Sequence, residues 1–166
     1  MSRRIGRILA FQALYSWNAA QIASEDLLAF SWIEPLESET EDECAIFQEQ
    51  LKRFNALDAQ KKEETFAFAR LLIGGTLEHI KEIDDAIRAH LAKSWRLERI
   101  NKVALAVMRF SIYTILYQRD TPASIVIDEA IEIIKDYGAE DSYKFVNAVL
   151  DKISKETAAA KNSADS

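Results

Sequence analysis

The stretch IDEAIEIIKDYGAEDSYKFVNAVLDKI, residues 127–153, places two helical patterns on either side of one small turn. Before the turn, Ile127, Ala130, Ile131 and Ile134 recur at helical spacing, while Asp128, Glu129, Glu132 and Asp136 fall on the opposite side. After it, Val146, Val149, Leu150 and Ile153 form a second stripe. Gly138 fits a left-handed position ending the first helix. Asp141 or Ser142 fits the N-cap of the next. This geometry puts Phe145 beside the stripe and near Asp141, one turn earlier. Turn chemistry alone leaves Lys144, Phe145 and Asn147 without an assigned use.

Working outward, the same punctuation holds along the chain. Its 166 residues include only four Gly and two Pro, too few stops for a many-turned β architecture. Residues 3–20 read as one helix, with Ile5, Ile8, Leu9, Gln12 and Ala13 near one side. Ser24 fits the N-cap of a second helix stopped by Pro35. Residues 36–43 read as a solvated acidic loop, and a short helix is expected within 44–54. From about Asp58 to Leu91 a stripe of Ile73, Leu77, Ile80, Ile83, Ile87 and Leu91 predicts a helix. Gly74 and Gly75 inside it imply either a break or a close-packed neighbour. Asn101 fits the N-cap of KVALAVMRFSIYTILY, residues 102–117, which is apolar nearly all round and belongs at the centre of a bundle. Arg109 in its middle needs a carboxylate partner. Thr121 fits the next N-cap, with Pro122 at the first helical position.

The expectation is therefore an all-α protein of about seven helices in two small helical lobes. The first covers residues 1–92 and the second residues 95–156, with a disordered tail over 157–166.

Composition excludes several functions. No run of about 18 uncharged apolar residues is present, so nothing spans a membrane and a cytoplasmic protein is expected. Cys44 is the only cysteine, which rules out an internal disulfide, and its acidic neighbours disfavour a reactive thiolate. His79 and His90 lack metal-ligand spacing, and no Ser/His/Asp set is evident. The residues therefore offer no catalytic constellation, and neither a metal nor a cofactor is expected.

The net charge of −6 is unevenly spread. Residues 1–24 hold Arg3, Arg4 and Arg7 with no acid, and residues 34–49 hold seven acids with no base. Residues 88–119 hold seven bases against Glu98 alone. Three arginines in the first turns of a helix oppose its dipole, so a role other than helix stability is indicated. Either a polyanion surface or ordinary solvated faces would produce such clusters.

Three segments carry a family resemblance: ALYSW in the first helix, RFSIYTILYQRDTP, and the 127–153 string itself. Together they resemble the NusB family of bacterial transcription antitermination factors. The resemblance implies an all-helical, non-enzymatic protein that binds boxA RNA of ribosomal RNA operons. It implies binding together with the ribosomal protein NusE, and indirect association with other Nus factors and RNA polymerase. Some family members form homodimers. On this resemblance, the arginine-rich RNA motif falls on Arg3, Arg4 and Arg7, with Gln12 a turn later. The RNA and partner surface falls on Glu129, Asp141, Lys144 and Phe145, with Lys144 and Phe145 toward RNA and Glu129, Asp141 and Phe145 toward the partner. Guanidinium groups and an exposed ring suit single-stranded RNA, and acids suit a basic protein. A protein-only helical adaptor, docking a basic partner without RNA, remains the alternative. The RNA-targeting module of a ribosomal RNA methyltransferase is disfavoured by the single cysteine.

Overall fold

A computed structural model describes residues 3–20, 23–30, 49, 52–139 and 141–164. All of the regular structure among them is helical. The α-helices are α1 (Arg3–Ala20), α2 (Ser24–Ala29), α3 (Ala59–Glu78), α4 (Ile80–Ala89), α5 (Lys102–Tyr117), α6 (Ala123–Tyr137) and α7 (Ser142–Ala164), with a 3₁₀ turn at Leu97–Arg99. Residues 52–55 are also helical. The acidic loop, Pro35 and Cys44 lie outside the described residues. None of the described helices is long and apolar enough to cross a membrane.

The chain divides into two compact units, Met1–Gly74 and Gly75–Ser166. The expected division at residues 92–95 is therefore displaced. The reason is α4, whose Asp84 is tied to Arg109 of α5, so α4 belongs with the second unit.

In the first unit, α1 buries Ile5, Ile8, Leu9, Ala13 and Leu14. Ala23, not Ser24, stands at the N-cap of α2 and makes no side-chain capping bond; α2 stops early because Phe30 turns left-handed at φ 56°. Phe30, Phe54 and Phe66 form an aromatic cluster with centroids 4.7 and 5.0 Å apart. Arg70 covers it, donating to the Leu28 carbonyl and pairing with Glu63. At the start of α3, the Asp58 carboxylate accepts the Lys61 N–H at 2.8 Å, which lowers the Asp58 pKa.

The second unit is built around α5. Asn101 caps it, its side-chain oxygen accepting from the Val103 and Ala104 N–H groups at 3.0 and 3.2 Å. Residues 104–115 are all buried, as the all-round apolar pattern requires. α4, α6 and α7 pack on it. Of the stripe expected over 58–91, Ile73, Ile83 and Ile87 are buried, and Leu77, Ile80 and Leu91 are half-buried. The expected single helix over 58–91 bends at His79, where φ −107° and ψ 20° separate α3 from α4. The glycine pair does not break it. A Cβ at Gly75 would fall inside the Tyr113 ring, so Gly75 serves close packing.

Three further expectations are corrected. Pro122, not Thr121, occupies the N-cap position of α6, with no side-chain capping bond. The buried face of α6 is Val126, Ala130, Ile133 and Ile134; Ile127 and Ile131 are only half-buried, because α6 meets both α5 and α7 and its contact face is rotated. Residues 157–164 continue α7 rather than forming a disordered tail. Ala158–Ala160 favour helix, and Thr157 and Ser163 donate to the carbonyls of Ile153 and Ala159.

Candidate nucleic-acid and partner interface

The turn between α6 and α7 departs from its expected geometry. Gly138 is extended, at φ −92° and ψ 174°. Glycine is required there for space: a Cβ would lie 2.8 Å from the Ile134 carbonyl oxygen, which accepts the Gly138 N–H at 2.7 Å. The left-handed residue is Asp141, at φ 67°. Its carbonyl accepts the Lys144 N–H at 3.2 Å, as α7 begins. Asp is among the few non-glycine residues that tolerate this region.

Asp141 and Lys144 form an exposed ion pair, Oδ1 to Nζ 3.5 Å. Phe145 is half-buried, and its ring stacks on Trp95, with centroids 6.3 Å apart and planes 26° from parallel. Glu129 is half-buried on α6. Between α6 and α7 runs an open groove of about 600 Å³, lined by Asp128, Ile131, Glu132, Lys135, Tyr143 and Asn147 together with Lys144. The Tyr143 ring lies 5.3 Å from the Lys135 Nζ and 6.0 Å from the Lys144 Nζ, so both ammonium groups sit at cation–π range. The α6–α7 turn thus brings Asp141, Lys144 and Phe145 together.

The arginine motif of α1 separates into two environments. Arg3 and Arg4 are exposed. Arg7 is 5% exposed, with its guanidinium 5.6 Å above the Phe68 ring. Arg3 lies over the same ring at 5.7 Å. The α1 backbone comes close to Phe68 at Gly6, where a Cβ would stand 2.6 Å from the ring. Arg7 is therefore a packing residue in this structure, not the solvent-facing cation expected from its place in the motif. Gln12 is half-buried, and its side-chain oxygen is enclosed without a hydrogen-bond partner among the described residues.

Sequence reasoning missed Trp95, Tyr143 and Lys135. Trp95 had a signal, being a large aromatic inside a base-rich segment without an apolar stripe of its own. The two histidines are occupied within the second unit. His79 stacks on Tyr117 at 4.0 Å, and His90 Nε2 lies 3.1 Å from Glu156 Oε2. Among the described residues, no group of three or more His, Cys, Asp or Glu side chains could hold a metal ion.

Comparison with known proteins identifies the class. Residues 4–155 match the model of the NusB family. The "Transcription antitermination protein NusB" of Treponema denticola is 43% identical over 92% of this chain and 96% of its own length. That of Treponema pallidum (strain Nichols) is 41% identical over 93% of this chain and 94% of its own. Among solved structures, T. maritima NusB is 35% identical and superposes with a TM-score of 0.69, covering 94% of this chain and 92% of that one. A structure described as antitermination factors NusB and NusE in complex with dsRNA matches with a TM-score of 0.67 over 93% and 96% of the two chains; at 23% identity it supports the fold alone. These relatives define a class of all-helical transcription antitermination proteins. The chain belongs to the NusB family.

Proposed function

We propose that this protein is an RNA-binding antitermination factor that engages boxA RNA of ribosomal RNA operons together with NusE. The observation that carries the reading is the solvent-facing pair Arg3 and Arg4 on an acid-free first helix. Two exposed guanidinium groups in the first turn of one helix suit the phosphates of a single strand. The α6–α7 turn supplies the second part: Lys144 and Phe145 toward RNA, and Glu129 and Asp141 toward a basic partner. Membership of the NusB family, with a relative 43% identical named as a transcription antitermination protein, supports the antitermination role. On this reading the protein performs no catalysis and acts in the cytoplasm, reaching the other Nus factors and RNA polymerase through the bound RNA.

A gel-shift titration with boxA RNA, with and without NusE, tests it. Binding should be tighter with NusE present, and the Arg3→Ala/Arg4→Ala double variant should weaken it and flatten its salt dependence. NusE binding without any gain in RNA affinity would instead favour a protein-only adaptor, for which the acids at Glu129 and Asp141 are the motive.

A further inference from the structure

The base-rich segment of residues 88–119 is not used by the α1 motif or the α6–α7 turn. Two of its seven bases are engaged internally: Arg88 pairs with Asp85 and Arg109 with Asp84. Lys93, Arg96 and Arg99 are exposed and make no ion pair among the described residues. Trp95 stands among them. At 52% exposure it is the most exposed large hydrophobic side chain described. Leaving so much indole in water sacrifices burial that a core position would supply. The ring is also held in place, because Phe145 lies behind it in a near-parallel stack.

We propose that Trp95 is a stacking platform for a base of single-stranded RNA, braced by Phe145 and flanked by Lys93, Arg96 and Arg99 as phosphate contacts. The inference rests on the RNA-binding reading above and extends the surface at Phe145. It adds a second ring to that surface: Phe145 is half-buried and stacks on Trp95, and the indole is the more exposed of the two. A π-face between cations is the arrangement with which proteins hold an unpaired strand without reading its sequence. The same cations repel a basic protein, so charge complementarity favours RNA over such a partner at this patch. Glu98 is the single acid in the segment and is exposed among these bases.

Anisotropy titrations of a labelled single-stranded boxA RNA, using the full chain alone and with NusE, test the proposal. Trp95→Ala should weaken RNA binding about 5- to 150-fold. Trp95→Phe should restore most of the loss. The salt dependence of Trp95→Ala should match the parent, since no cation is removed. The Arg96→Gln/Arg99→Gln variant should lower the salt slope by about 1.4, or about 0.7 for each phosphate released on a single strand. Thermal unfolding of Trp95→Ala should show a cooperative transition only modestly below the parent, because about half of the side chain is exposed and Trp95→Phe keeps the ring contact with Phe145. Unchanged RNA affinity in Trp95→Ala, with affinity lost in Arg3→Ala/Arg4→Ala, would overturn the platform and leave the proposed function standing. Loss of NusE binding alone would overturn it as an RNA site. Absence of RNA binding by the parent chain, with or without NusE, would overturn both.

Discussion

Arg109 and Asp84 meet in a two-pronged ion pair. The Arg109 Nε donates to Asp84 Oδ1 at 2.9 Å, and a terminal guanidinium nitrogen donates to Oδ2 at 3.0 Å. The two side chains are 6% and 13% exposed. This supplies the carboxylate that an arginine in the middle of an apolar helix requires, and it fastens α4 to α5. Removing one partner strands a buried charge. Asp84→Ala should therefore cost about 3–5 kcal/mol in urea unfolding, whereas Asp84→Leu with Arg109→Met should come out close to the parent. An unchanged urea midpoint in Asp84→Ala would show that the pair does not hold the two helices.

The glycine pair in α3 should respond in opposite directions. Gly75 abuts Tyr113, so Gly75→Ala drives a methyl group into the ring and should cost about 1–3 kcal/mol. A Cβ at Gly74 meets nothing within 4 Å. Gly74→Ala should raise stability by up to about 1 kcal/mol, through helix propensity alone. Thermal unfolding of the two single variants decides this, and matching shifts would contradict the packing assigned to Gly75.

The contrast between those neighbours shows where the sequence was legible. An apolar run such as 102–117 announces burial because no other environment tolerates it, and Arg109 within it announces a carboxylate. Asn101 was legible because capping is local chemistry. Features set by a neighbouring element were not. The rotated face of α6, the bend at His79 and the burial of Arg7 depend on which helices arrive from elsewhere. At the α6–α7 turn the need for glycine was visible, but its cause was not: Gly138 avoids Ile134, while Asp141 takes the left-handed backbone. Trp95 meets Phe145 across 50 positions of sequence, which local spacing does not encode.

Arg7 and Arg4 should separate stability from binding. Arg7 is buried over Phe68, so Arg7→Ala should lower the urea midpoint by the equivalent of about 1–3 kcal/mol, combining lost packing with a lost cation–π contact. Arg4 is exposed, and Arg4→Ala should leave the midpoint in place while reducing the salt slope of RNA binding by about 0.7. A stable Arg7→Ala protein with reduced salt slope would return Arg7 to the RNA-contacting set.

Tyr137 should shape alkaline stability. Burial, and secondarily the charge of Asp136, push its phenol up to about 12. An unfolded tyrosine ionises near pH 10. Between those values the unfolded chain releases a proton that the folded chain retains, which favours unfolding. The contribution from Tyr137 is thus intact below about pH 10, declines as pH rises, and is spent by about pH 12. Tyr137→Phe should flatten this part of the curve of unfolding midpoint against pH. An equally steep alkaline decline in that variant would assign the loss to other groups.

Asp141 carries both a backbone demand and a charge, and substitution can divide them. At φ 67° the position accepts Asn with little strain, and its exposed pair with Lys144 contributes under about 1 kcal/mol. Asp141→Asn should therefore unfold within about 0.5 kcal/mol of the parent, whereas Asp141→Val, β-branched at a left-handed position, should lose about 1–3 kcal/mol. The lost charge should register in binding with two opposite signs. A basic partner such as NusE loses an attractive carboxylate and should bind a few-fold more weakly. RNA loses a repulsive one, and Lys144 is released toward phosphate, so RNA should bind a few-fold more tightly. Titrations of the Asp141→Asn protein with NusE and with boxA RNA separately read both. If neither affinity moves, Asp141 is present for its backbone conformation alone.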